Sequence, residues 1–288
     1  MIEAAGLEVP AIVGDGRLEG KVAIVTGGGS HGPLAGSGAA ISILFAAKGA
    51  SVLVVDRDDE RSQNTLDVIE RGGGVCATFG ADITDPEQCR AAVDAAVGRY
   101  GRLDLLVNNA AIAPAEKLVD DEMWQAVLNL NLRAAKLMTD AAVGHMSEDG
   151  GGSIVNIASH AGLRAGGGIA YTAAKSGLIG LTKATAYEFG RQGIRCNAVA
   201  PGHVYTPMGI GYTGWSPELN GARRLRAAAG LLDTEGTAWD VAYAALFLAS
   251  DEARWITAVT LPVDAGTVEV MPLVMYSRLA EAAAESTS

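Results

Sequence analysis

Three side chains in this sequence could manage a proton together. Tyr171 and Lys175 lie four positions apart in "AYTAAK", a spacing that puts them on one face of a helix. Ser159 stands twelve residues before Tyr171, where the apolar run "GSIVNIAS" ends. A free tyrosine, with a pKa of about 10, is a poor base at neutral pH. A neighbouring ammonium favours its phenolate, so Lys175 can tune Tyr171 toward proton exchange.

A second set could hold an anion. "TGGGSHGPLAGSG", Thr26 to Gly38, follows an apolar run and leads into a helix of small residues. Glycines let a backbone approach a pyrophosphate, and a helix start offers unpaired N–H groups and the positive end of its dipole. Gly27 reads as the turn out of the strand, and Gly36 and Gly38 as the close-approach and helix-packing glycines. The residues "SHGPL", 30–34, are surplus to a compact loop and should bulge outward, stiffened by Pro33. Asp56 lies twenty positions after Gly36, where a dinucleotide fold puts the acid that accepts hydrogen bonds from the adenosine ribose. A cationic nicotinamide would add to the stabilisation of a Tyr171 phenolate, and Lys175 could also bind its ribose.

The elements that must position these groups follow from the apolar pattern. "KVAIVTGG", "SVLVVDRD", "VCATFGADITD", "LDLLVNNAA", "GSIVNIAS", "IRCNAVAPG" and "AVTLPVDAG" read as strands. Helical patterns lie between them, including one long helix over "DDEMWQAVLNLNLRAAKLMTDAAVGHM" and another over "AYTAAKSGLIGLTKATAYEFG". Most strands are continuous apolar runs, as expected when helices cover both faces of a parallel sheet. The expected fold class is α/β: a single doubly wound Rossmann domain, with a parallel sheet of about seven strands and helices on both faces. Residues 1–18 read as an N-terminal extension, 19–270 as the domain and 271–288 as a C-terminal tail.

Composition narrows the partners. A net charge of −11 argues against a general nucleic-acid binder, which needs a basic face to release counterions. Arg223, Arg224 and Arg226 read as a solvated helix face. Cys76, Cys89 and Cys196 are scattered, with no CxxC pair and no metal spacing, which suits a reducing compartment. No signal peptide or membrane-length apolar run is visible, so the expectation is a cytoplasmic protein without metal, nucleic acid or membrane partners.

The chain resembles the short-chain dehydrogenase/reductase family over roughly residues 19 to 266. The resemblance is carried by "TGGG…GSG", "NNAA" at 108–111, Asn131 in "LNLN", Ser159, "YTAAK", "PGHVYTP" at 201–207 and "LPVDAG". It implies that Tyr171 is the general acid or base on the substrate oxygen and that Ser159 hydrogen-bonds that oxygen. Lys175 would lower the tyrosine pKa and hold the ribose, and Asn131, rather than Asn129, would order a water relay. Asp56 would favour NAD over NADP, with Arg57 beside it as a possible phosphate contact. Asp82 and Ile83 would touch the adenine, Asn108 would lie near the cofactor at its strand end, and Val204 and Thr206 would grip the carboxamide. Family members commonly form tetramers, and the small-residue helices here permit a homotetramer.

The departures are the longer glycine loop, Ala111 for the usual glycine, and Ala158 for the first serine of a common pair. His160 reads as an exposed loop histidine. Residues 207–235, with Tyr212 and Trp215, read as the substrate segment, either a lid over an apolar substrate or a packed interface helix. The resulting expectation is an NAD-dependent oxidoreductase acting on a secondary alcohol or ketone. The alternatives are an NADPH-using 3-oxoacyl thioester reductase and a nucleotide-sensing protein without turnover.

Overall fold

The computed structural model describes residues 7–116, 118–212, 220–271, 275 and 278–280. Its strands are β1 (Val22–Thr26), β2 (Ser51–Asp56), β3 (Val75–Gly80), β4 (Leu105–Asn108), β5 (Gly152–Ile157), β6 (Ile194–Pro201) and β7 (Thr260–Val263). The main helices are α1 (Ser37–Ala47), α2 (Asp59–Arg71), α3 (Pro86–Tyr100), α4 (Asp121–Leu128), α5 (Ala134–Glu148), α6 (Ile169–Phe189), α7 (Pro207–Tyr212), α8 (Asn220–Ala229) and α9 (Ala238–Ala249).

The strands form one seven-stranded sheet in the order β3-β2-β1-β4-β5-β6-β7, and every pairing is parallel. This is the expected doubly wound fold. Alternation along the central strands divides the core in two. Ala23, Val25, Val52 and Val54 face α1, α2 and α9, whereas Val22, Ile24, Leu53 and Val55 face α3 and α5. Both faces are buried, which is why these strands read as unbroken apolar runs. Pro262 sits in β7 at the sheet edge, where a missing N–H costs no ladder bond. The strand order reverses direction between β1 and β4, so the crevice at their carboxyl ends is the switch point at which such sheets bind ligands.

One expectation is corrected. The single long helix is α4 and α5 joined by a π-helical turn, Asn129–Arg133. One extra residue in a turn leaves the apolar stripe intact, and such turns gather at functional sites. The expected N-terminal extension packs against the domain from Leu7 onward. Leu7 and Val9 are buried in the cluster built by α1 and α9, and the Lys48 ammonium donates to the Val13 carbonyl (2.6 Å) and Asp15 (2.8 Å). Most of the 271–288 tail, and Trp215 of the substrate segment, lie outside the described residues. Among the described residues no helix is long and apolar enough to cross a membrane, and no group of His, Cys, Asp or Glu could hold a metal ion.

Candidate functional site

The glycine loop divides into a tight cradle and an outward excursion. Gly27 has φ +62°, and a Cβ there would lie 2.7 Å from the Ala110 Cα. Gly38, at the start of α1, faces the Gly27 carbonyl so closely that any side chain would collide with it and with the Asn109 amide. Asn109 ties the two strand ends together by donating through Nδ2 to the carbonyls of Thr26 and Gly27, each at 3.0 Å. Gly29 donates its N–H to Asp56 Oδ2 at 3.1 Å, so the acid that ends β2 also braces the loop.

The excursion begins at Ser30, which is buried and held by the Arg61 carbonyl and the Asn64 amide of α2. His31, Gly32 and Pro33 are exposed, as the sequence suggests, and the Pro33 carbonyl accepts a hydrogen bond from Glu8 N–H at 2.9 Å. The chain then returns through Gly36, where a Cβ would meet open space. The N-terminus of α1 carries no side-chain cap and no acid in its first turn. Its unpaired N–H groups therefore suit an anion. An uncapped helix start, a cradle without side chains and a carboxylate at the β2 end together fit a dinucleotide.

The other expected cofactor contacts are placed unequally. Asp82 is exposed, and its Oδ1 accepts from Thr84 N–H (2.9 Å) and Thr84 Oγ (2.7 Å) in the turn before α3; Ile83 beside it is buried. Asn108 is turned into the core rather than to the crevice. Its Nδ2 donates to Asn156 Oδ1 at 2.9 Å, and Asn156 in turn donates to Thr182 Oγ at 2.9 Å. Asn109, one residue on, faces the cradle instead. Only the backbone of Asn108 is thus left at the crevice edge, and its side chain is a core contact.

The proton-handling residues converge beside β5. Ser159 lies two residues past the strand and begins a 3-10 turn, His160–Gly162. Its Oγ accepts from Ala161 N–H at 3.1 Å, which orients the hydroxyl and leaves its proton to donate. Tyr171 and Lys175 lie on one face of α6, with the Lys175 nitrogen 5.6 Å from the centre of the phenol ring. Gly167 makes room for that ring, since a Cβ there would lie 2.8 Å from it. Lys175 is buried and donates to the Ile157 carbonyl at 2.7 Å. Burial alone pushes its ammonium down to about 7. Asn131, in the π-helical turn, is also buried. It accepts from Ile112 N–H at 2.9 Å and donates to the Ile112 carbonyl at 2.8 Å, pinning the loop after β4.

Beyond β6, Thr206 Oγ accepts from Gly209 N–H at 3.2 Å and Pro207 takes the first helical position, so Thr206-Pro207 is a start signal for α7. Val204 packs beside Gly209 and Gly236. The arginine face of α8 is solvated at Arg223 and Arg224, as expected, whereas Arg226 is half-buried. Arg223 and Arg226 both pair with Glu235, and both lie over the Tyr205 ring at 4.6 and 5.3 Å. His160 is likewise no exposed loop residue, because its ring packs against His203. Asn109, His203 and the Tyr205–Glu235 cluster are the residues that motif reading did not single out. No pattern in the sequence separates Asn109 from Asn108, because only the fold sets their opposite side-chain directions.

A parallel doubly wound sheet with this cradle and this Tyr–Lys pair defines a nicotinamide-dependent oxidoreductase acting on CH–OH groups. The chain belongs to the short-chain dehydrogenase/reductase family. A family model described as enoyl-(acyl carrier protein) reductase matches residues 32–268. The chain is 38% identical over 255 residues to the 3-oxoacyl-[acyl-carrier-protein] reductase FabG of Thermotoga maritima, covering 88% of this chain and 99% of that one. It is 38% identical over 258 residues to D-threitol dehydrogenase of Mycolicibacterium smegmatis, covering 88% and 94%. Among solved structures, a short-chain dehydrogenase/reductase from Burkholderia xenovorans superimposes with a TM-score of 0.84 at 39% identity, covering 89% of this chain and all of that one.

Proposed function

We propose that this enzyme interconverts a secondary alcohol and its ketone, using NAD, with Tyr171 as the general acid/base. The observation that supports the reading is the Tyr171–Lys175 pair on one face of α6, with Lys175 bound to the Ile157 carbonyl two residues before Ser159. When bound, NAD supplies the two-electron acceptor or donor at its nicotinamide. Gly27, Gly36, Gly38 and the α1 N-terminus would hold the diphosphate, and Asp56 the adenosine ribose. Asp82 and Ile83 would flank the adenine, with the chain at Asn108 passing beneath. Val204 and Thr206 would hold the carboxamide, and Lys175 the nicotinamide ribose.

Ser159 donates its hydroxyl proton to the substrate oxygen and fixes it beside Tyr171. In the oxidative direction Tyr171 takes the alcohol proton; in the reductive direction it returns one to the forming alkoxide. Lys175 titrates near neutrality, so Nζ can hold a proton or give one up in the working pH range. Asn131 acts by fixing the Ile112 backbone, which shapes the proton path beside Lys175.

NAD is favoured over NADP because a carboxylate at the end of β2 repels a 2′-phosphate. A second reading, reduction of a 3-oxoacyl thioester with NADPH, is favoured by the similarity to the Thermotoga reductase. Against it, Arg223 and Arg226 on α8 already pair with Glu235. A homotetramer is supported by the small-residue surfaces of α5 and α6 and by the exposed Tyr187 on α6, and a cytoplasmic setting by three free thiols. Nicotinamide absorbance with a panel of secondary alcohols, ketones and 3-oxoacyl thioesters, each with NAD(H) and NADP(H), tests the reading. Turnover of alcohols with NAD supports it, whereas turnover confined to thioesters with NADPH favours the second.

A further inference from the structure

The excursion of the glycine loop is held at its two roots by different parts of the chain. At the first root, Ser30 N–H donates to the Arg61 carbonyl of α2 (3.0 Å), and the Asn64 amide donates to the Ser30 carbonyl (3.2 Å). The second root, Ala35, is buried in the cluster that also takes Leu7, Val9 and the α1 residues Ala40, Ile41 and Leu44. Between the roots, the Pro33 carbonyl accepts from Glu8 N–H at 2.9 Å. Among the described residues this is the one hydrogen bond that reaches residues 31–35.

The segment that makes this contact is anchored again at the far end of α1. Lys48, which ends that helix, is buried and donates to the Val13 carbonyl and to Asp15, and its own carbonyl accepts from Leu18 N–H at 2.9 Å. A free excursion of this length samples many conformations, and a ligand that needs one of them must bear the cost of ordering it. Here the Glu8 N–H and the burial of Leu7 and Val9 order it beforehand. Ala35 adjoins Gly36, the residue at which α1 begins without a side-chain cap. The clamp therefore ends one residue from the backbone that would meet the diphosphate.

We infer that Leu7, Glu8 and Val9 are positioning residues for the cofactor: they clamp Pro33 and Ala35, and so preset the Gly36 backbone and the start of α1 for the dinucleotide. This deepens the oxidoreductase reading and rests on its cofactor half. The clamp lies on the glycine-loop side of the crevice, apart from Ser159, Tyr171 and Lys175. It acts on cofactor affinity, so its loss raises KM for the cofactor and spares kcat.

The test compares Glu8→Pro, which removes the N–H, with Glu8→Ala, which keeps it. A Leu7→Ala/Val9→Ala double variant thins the clamp, and Val241→Ala removes bulk from the same cluster on α9. The probe is NADH or NADPH, whichever the wild type binds more tightly. The readouts are its Kd by fluorescence, KM for the cofactor and kcat with the best substrate of the panel, and the urea midpoint. Hydrogen exchange over residues 7–13 of the wild type, with and without the probe, needs no variant to fold.

Glu8→Pro and the double variant should raise Kd and KM for the cofactor by ~5-fold or more, the scale of one lost preorganising hydrogen bond, and keep kcat within ~2-fold. Glu8→Ala should match the wild type, and Val241→Ala should lower the urea midpoint without moving Kd. Exchange over residues 7–13 should slow when the probe binds, because coupling between two sites is reciprocal. A lowered urea midpoint with unchanged Kd in Glu8→Pro and the double variant makes the segment merely structural and overturns the inference. So does a Val241→Ala variant that weakens binding as much as Glu8→Pro, or exchange over residues 7–13 that ignores the probe. In each of these cases the cofactor reading stands, whereas a wild type that binds neither nucleotide overturns both.

Discussion

Gly38 is packed directly against the carbonyl of Gly27, so that the first helix and the first strand meet with no room for a side chain. Gly36, two residues earlier, stands in open space with an ordinary negative φ of −77°. The same motif therefore contains one glycine required by packing and another that the protein alone does not require.

That contrast yields the first prediction. Gly38→Ala should lose roughly 1–3 kcal/mol or more, since the clash is with backbone and overpacking costs this much. Gly36→Ala should leave the unfolding midpoint nearly unchanged and weaken NADH binding if the backbone there approaches the diphosphate. Urea unfolding and NADH fluorescence measure the two effects.

Asp56 gives the second. Its carboxylate braces Gly29 and, in this account, disfavours a 2′-phosphate. Asp56→Ala should lower the ratio of kcat/KM with NAD to that with NADP by ~10-fold or more, because facing like charges cost several kcal/mol. An unchanged ratio would show that cofactor choice lies elsewhere.

Lys175 supplies a third, in pH. Its native pKa, about 7, lies below the ordinary value of 10.5. Below pH 7 both the native and the unfolded chain hold this proton; between the two values only the unfolded chain does. The unfolded state thus binds more protons in that window, and this residue makes stability rise with pH from about 7 to about 10.5. Lys175→Met should flatten that rise relative to the wild type. Urea unfolding of the cofactor-free protein across this range checks it, and parallel curves would contradict it.

Asn131 supplies the fourth. Truncating it leaves the N–H and carbonyl of Ile112 without their partner. Asn131→Ala should cost roughly 1–3 kcal/mol, the penalty for stranded buried polar groups, and lower kcat through the displaced loop after β4. Urea unfolding and steady-state kinetics separate the two.

Much of this was legible in the residues. Strands buried on both faces appear as apolar runs, and the caps Asp85-Pro86 and Thr206-Pro207 mark helix starts in plain text. The Tyr171–Lys175 spacing needed only a helix to become a shared face. Other features were hidden for identifiable reasons. The π-helical turn at Asn129–Arg133 adds a residue without breaking the apolar stripe, so periodicity reads through it. Asn108 and Asn109 are the same residue type at a strand end, and pattern alone does not say which points to the core. Leu7 and Val9 are too short a pattern to announce that the N-terminus is packed against α1 and α9. The pairing of Arg223 and Arg226 with Glu235, and of His160 with His203, joins segments that only the folded chain brings together.

The central claim is that the phenol of Tyr171 exchanges the substrate proton. Tyr171→Phe removes only that hydroxyl, and the account predicts that kcat falls by ~100-fold or more, the usual scale of general acid–base catalysis, while NADH still binds. A variant that binds NADH and keeps wild-type turnover would contradict it.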